Sequence, residues 1–182
     1  MAERARQSRL LCAQLLQWLT QSRKERTPLT IAAFWPLAEE PDITPVLHQL
    51  IALNQIVVLP VVATRHAPLE FHRWMPDAPM TAGNFGVMEP SRTQALQPDI
   101  LFVPTLGYTS RADRLGYGGG YYDRTLAAMH QLGAHPLTIG IAWSEGLLTH
   151  QYPDYLPQGH DMPLNAVLNA QGWVPAQPDF PG

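Results

Sequence analysis

Short apolar runs alternate with amphipathic stretches along most of this chain. The first stretch is helical: Leu11, Leu15, Trp18 and Leu19 recur at three- and four-residue intervals behind the charged lead-in Arg4–Arg9, which predicts an amphipathic helix near residues 4–22. Thr30–Trp35 (TIAAFW) follows as a short apolar strand. At Thr44-Pro45 an N-cap precedes proline at the first helical position, and Val46, Leu50 and Leu53 share one face of the helix they open. Ile56–Val62 (IVVLPVV) reads as a second strand and Ile100–Pro104 as a third. A helix from about Gly120 to Leu132, closed by Gly133, leads to Leu137–Trp143 (LTIGIAW). Between Ala63 and Gln97 the period is lost among prolines and glycines, and Leu69–Trp74 (LEFHRW) reads as one strand of an edge hairpin.

Near-continuous apolar strands spaced by helices point to an α/β fold, a three-layer α/β/α domain with a mainly parallel central sheet. One domain is expected over residues 1–174. The tail Pro175–Gly182, with three prolines and no apolar period, is expected to fray.

Composition removes several function classes. The net charge of −3 gives no basic surplus for a nucleic-acid backbone. No apolar run approaches the roughly 20 residues that span a bilayer. Cys12 is the only cysteine, and no apolar export segment follows the basic start, so a cytoplasmic protein without disulfides is expected. The seven histidines show neither HxxxH nor HxH spacing, which argues against zinc.

The candidate chemistry gathers between the third strand and its helix, in Arg114–Asp123 (RLGYGGGYYD). Glycines let successive backbone N–H groups turn toward one point, and the helix N-terminus behind them adds partial positive charge, so a phosphate fits there. The loop lacks the lysine of GxxxxGK[ST], and Tyr121 occupies the last glycine position of GxGxxG, so both common nucleotide signatures fail. Asp123, in the first helical turn, can face a cation on that phosphate; read structurally, it is a charge partner for the helix end. A plain turn remains the alternative for the glycines.

The run Asp99–Ala127 (DILFVPTLGYTSRADRLGYGGGYYDRTLA) resembles the signature of 5-formyltetrahydrofolate cyclo-ligases, also called methenyltetrahydrofolate synthetases. Trp35–Thr44 (WPLAEEPDIT), Phe85–Pro90 (FGVMEP) and Gly159–Leu168 (GHDMPLNAVL) are similar to three further family blocks, in order. The resemblance implies an ATP- and Mg²⁺-dependent enzyme that converts 5-formyltetrahydrofolate to 5,10-methenyltetrahydrofolate through a phosphorylated formyl group.

Carried over residue by residue, it implies that Arg114, Leu115, Gly116, Tyr117, Gly118, Gly119, Gly120, Tyr121 and Tyr122 hold ATP. Asp123 and Asp161 would hold Mg²⁺. Trp35, Glu40 and Tyr117–Tyr121 would contact the folate. Simpler accounts exist: Trp35 as a core aromatic, Glu40 as a solvated residue, Glu89 as a capping carboxylate, and Asp161 as the N-cap of a helix over Pro163–Asn169. The resemblance also implies a preceding basic helix that contacts ATP phosphates. This chain begins at the counterpart of the helix after it, Lys24 is its only lysine, and Val61 and Asn169 stand where many relatives carry charge. The alternative is therefore a folate- or nucleotide-binding paralogue with weak or no turnover.

Overall fold

The computed structural model describes residues 2–21, 27–83, 86–148, 152, 155–159 and 161–180; Lys24, Phe85 and His160 lie outside them. Helix α1 covers Ala2–Gln21, α2 Thr44–Ala52 and α3 Tyr121–Gln131. Seven strands form the main sheet: β1 (Thr30–Ala32), β2 (Ile56–Val61), β3 (Glu70–Arg73), β6 (Ile100–Pro104), β9 (Leu137–Ile141), β10 (Ala166–Asn169) and β11 (Gly172–Val174). Two small hairpins pair β4 (Met80–Ala82) with β5 (Met88–Pro90), and β7 (Gly107–Tyr108) with β8 (Arg114–Leu115).

The sheet order is β11-β10-β9-β6-β1-β2-β3. The inner strands from β10 to β2 run parallel, and the edges β11 and β3 are antiparallel. This is the α/β architecture expected from the sequence. From β1 the chain winds outward to β2, then crosses back to β6 and proceeds the other way, so the order reverses between β1 and β6. A crevice opens beyond the carboxyl ends of strands at such a reversal.

Alternation along the strands divides the core. Ile100 and Phe102 pack with Leu11, Leu15, Trp18, Val46 and Leu50 of α1 and α2, whereas Leu101 and Val103 pack with Leu126 and Met129 of α3. A helical layer thus covers each face. Among the described residues, no helix is long and apolar enough to cross a membrane.

Three local expectations are corrected. The N-cap of α2 is Ile43, not Thr44, because Asp42 accepts the Thr44 N–H at 3.0 Å and its hydroxyl at 2.6 Å, a local turn that holds the helix start; Leu53 is exposed. Pro163–Asn169 is not a helix. Asn165 Oδ1 accepts the Thr138 N–H and hydroxyl, both at 2.8 Å, and this seats Ala166–Asn169 beside β9 as a fully buried strand. Nor is the tail frayed as far as Phe180: Trp18 Nε1 donates to the Pro178 carbonyl at 3.1 Å, and the Phe180 ring lies 5.1 Å from that of Trp18.

Phe180→Ala is expected to lower stability in urea unfolding by about 1–2 kcal/mol, the scale of a partly buried aromatic contact. An unchanged midpoint would mean that the tail only rests on α1.

Candidate functional site

A cavity of about 670 Å³ occupies the crevice between the ends of β1 and β6. One wall is the chain leaving β1, with Phe34, Trp35, Leu37 and Glu40. Another is the glycine loop Arg114–Asp123, and Asp161 also lines the space. Every residue singled out in the sequence as an ATP, folate or metal contact therefore borders one space.

Different glycines in the loop answer different needs. Gly118 (φ +79°) and Gly120 (φ +62°) adopt the left-handed conformation, and Gly120 is the N-cap of α3. Gly119 does not, so the conformational demand lies on its two neighbours. Gly116 is small for another reason: a Cβ there would strike Nη1 of Arg114, whose guanidinium packs against that backbone.

Arg114 is the anchor beneath the loop. Its Nη2 donates to Asp123 Oδ2 at 2.8 Å, with the two side chains only 7% and 13% exposed. The Asp123 Oδ1 accepts the Met162 N–H at 3.2 Å, which draws the segment carrying Asp161 against the start of α3. Asp161 itself accepts the Gln158 N–H at 2.7 Å, so its capping role is to that turn. Tyr155 donates its hydroxyl to the Arg114 carbonyl at 3.3 Å. Two other arginines near in sequence serve elsewhere: Arg111 is exposed beside Asp113, and Arg124 turns back to the Gly119 carbonyl at 2.7 Å and stacks on Tyr121.

On the wall after β1 the adjacent acids part company. Glu39 pairs outward with Arg4, and its carbonyl accepts from Trp143 Nε1 at 2.7 Å. Glu40 turns inward and accepts the Leu37 N–H at 2.8 Å, so it is the acid that faces the cavity. Burial raises the Glu40 pKa, against the opposing effects of the Leu37 N–H and Tyr117. Tyr117 and Tyr122 are pushed up by burial and then by the Glu40 charge; at Tyr122, Arg114 opposes. Trp35 lines the cavity and also packs on the core beside Trp74, so the two readings of it describe one residue.

Glu89, a capping carboxylate in the sequence reading, borders the cavity and accepts the Val62 N–H at 3.1 Å. Two residues the sequence did not single out also contribute. Tyr155 and Gln158 come from an aperiodic stretch in which only contact with the folded loop could reveal a role. Asn169 is buried away from the cavity and donates to the Tyr108 hydroxyl at 2.7 Å.

Glu40, Glu89, Asp123 and Asp161 line the space against a single guanidinium, Arg114, among the described residues. A bare polyanion is disfavoured in such a field, and one accompanied by a cation is accepted. No group of three or more ligating side chains among the described residues could hold an ion alone. Mg²⁺ ordinarily takes one or two carboxylates and completes its shell with phosphates and water, and Asp123 and Asp161 are two carboxylates that border the cavity.

Residues 2–170 match the 5-formyltetrahydrofolate cyclo-ligase family. A 5-formyltetrahydrofolate cyclo-ligase of Haemophilus influenzae is 34% identical over 153 residues, covering 80% of this chain and 78% of its own. One from Mycolicibacterium smegmatis is 30% identical over 157 residues, covering 81% and 76%. The solution structure of an Aquifex aeolicus 5,10-methenyltetrahydrofolate synthetase superposes with a TM-score of 0.73 at 22% identity, over 100% of this chain and 88% of that one. A Mycoplasma pneumoniae 5,10-methenyltetrahydrofolate synthetase gives 0.69 at 22%, over 93% and 88%. These two structures speak to the fold.

Two substitutions separate the glycine roles. Gly118→Ala meets open space, so it should cost only the left-handed strain, about 1–2 kcal/mol in chemical denaturation. Gly116→Ala should instead displace Arg114 and lose the contact to Asp123; equal effects of both on structure would show that the guanidinium does not depend on Gly116. The raised Glu40 pKa has its own signature. Its stabilising neutral form is fully present below the ordinary value of 4.5, and the contribution is lost as pH rises through the higher folded value. Glu40→Gln should be more stable than wild type at neutral pH, with the gap closing below 4.5. A gap that does not change with pH contradicts this.

Proposed function

The chain belongs to the 5-formyltetrahydrofolate cyclo-ligase family, and from that premise we propose how its cavity carries out the reaction. The protein converts 5-formyltetrahydrofolate to 5,10-methenyltetrahydrofolate at the expense of ATP. The observation that carries the assignment of parts is that the glycine loop and Glu40, from separate segments, border one cavity. One wall suits a phosphate chain and the other suits a ring bearing N–H donors.

The formyl oxygen is a poor leaving group because the N5 lone pair is delocalised onto it. Its attack on the γ-phosphorus of ATP releases ADP and makes that oxygen part of a phosphate ester. N10 then bonds to the activated carbon and loses its proton, and the C–O bond breaks to release inorganic phosphate. The ring is closed without an enzyme nucleophile. Catalysis of phosphoryl transfer is mainly alignment and charge neutralisation.

Arg114–Tyr122 hold the nucleotide, through loop N–H groups, the start of α3 and the Arg114 guanidinium. Glu40 accepts N–H donors of the pterin, Trp35 lies against the folate, and Tyr117–Tyr121 meet both substrates. The chemistry Mg²⁺ supplies when bound is neutralisation of phosphate charge, and Asp123 with Asp161 would hold it. The curated relatives share the name of a ligase, and no observation favours a binding protein without turnover. Cys12 is buried, with its thiol pushed up to about 11 by burial and by Asp42; an inert lone thiol suits the cytoplasm, where we place the reaction.

Adding MgATP and 5-formyltetrahydrofolate should produce the near-ultraviolet band of the methenyl product. Glu40→Gln should raise the folate KM by roughly tenfold or more, the scale of a lost charge-assisted contact, and leave the ATP KM unchanged. An ATP KM that rises equally would move Glu40 out of the folate subsite.

A further inference from the structure

The cation and the anion that a magnesium–nucleotide complex would require are already bound to each other. Arg114 is the one cation lining the cavity among the described residues, and its Nη2 lies on Asp123 Oδ2 at 2.8 Å. The pair is desolvated, with 7% and 13% of the side chains exposed. Arg114 Nε is also buried and has no hydrogen-bond partner. The pair satisfies the charges of the two groups but leaves one guanidinium donor idle. Only a turn of the guanidinium away from Asp123 would bring that donor to a phosphate.

We propose that Arg114 and Asp123 exchange partners when nucleotide and metal arrive together: the guanidinium turns to the phosphates and the carboxylate to Mg²⁺. This rests on the nucleotide reading above. Uncomplexed ATP would take Arg114 and leave Asp123 as a buried, uncompensated anion beside the phosphates. Mg²⁺ alone would take Asp123 and leave Arg114 uncompensated. Removing one member of a buried ion pair is strongly unfavourable, whereas replacing both at once is not. Glu40, Glu89 and Asp161 add repulsion against uncomplexed nucleotide. Arg114 and Asp123 therefore select the metal complex over the free nucleotide, and the selection acts in binding, before any chemistry.

Calorimetric titration of the whole chain with ATP in EDTA, and with ATP in excess Mg²⁺, reads this without turnover. Wild type should bind MgATP at least about tenfold more tightly than metal-free ATP. Asp123→Asn releases Arg114, so metal-free ATP should bind about tenfold more tightly than to wild type, and the advantage of Mg²⁺ should shrink to what Glu40, Glu89 and Asp161 still supply. Thermal unfolding checks that this variant folds. If it does not, the double variant Arg114→Met/Asp123→Leu replaces the pair with apolar groups and should bind ATP weakly, with a clearly smaller preference for MgATP than wild type. Asp123→Asn weakening both forms alike, or the double variant keeping the wild-type preference for MgATP, overturns the exchange and leaves the nucleotide site standing. Failure of wild type to bind MgATP overturns the nucleotide reading and the exchange with it.

Discussion

The buried Arg114–Asp123 ion pair is the constraint on which the site depends. It closes the glycine loop across nine positions, joining β8 to the first turn of α3. Through the other Asp123 oxygen it reaches Met162, and through the Arg114 carbonyl it reaches Tyr155. Gly116 is glycine so that the guanidinium can lie where it does, and Gly118 and Gly120 supply the backbone reversals between the two partners. Breaking such a pair costs about 3–5 kcal/mol when one charge is left behind. The loop is thus held rigid by a contact that uses the charges most suited to a phosphate and its metal.

The sheet decides where that loop can work. Reversal of strand order between β1 and β6 leaves a crevice, and the chain leaving each strand lines it. Glu40 is placed by a second set of contacts. Arg4 of α1 pairs with Glu39 and lies 5.4 Å over the Trp143 ring, while Trp143 holds the Glu39 carbonyl. The outward acid fixes the segment, and the inward one is presented to the cavity. A carboxylate presented in this way is destabilising on its own, since burial raises its pKa, and that cost is reasonable where a ligand supplies the missing donors.

Much of this could be read in the residues. Helical spacing in Leu11–Leu19 and the continuous apolar runs at Ile56, Ile100 and Leu137 gave the layers, because burial on one stripe or on both faces leaves a period in the sequence. The glycine loop was legible because its residue types have few other uses at a strand–helix junction. Elements this short left no period: β4, β5, β7 and β8 are strands of two or three residues, paired in local hairpins with no apolar alternation to mark them. Ala166–Asn169 resembled a capped helix until β9 lay beside it. Tyr155 and Gln158 belong to a stretch recruited by Asp123, and Trp18 orders a tail whose prolines suggested the opposite. Which of Glu39 and Glu40 faces inward was settled by Arg4, at the far end of another element.

The central claim is that this cavity activates the formyl group by transferring phosphate to its oxygen. The most direct measurement supplies 5-formyltetrahydrofolate with a heavy isotope of oxygen in the formyl group, together with MgATP, and weighs the released phosphate by mass spectrometry. One labelled oxygen in each inorganic phosphate, formed in step with the methenyl product, is the result expected. Methenyl product accompanied by unlabelled phosphate, with the heavy oxygen in water, would contradict it.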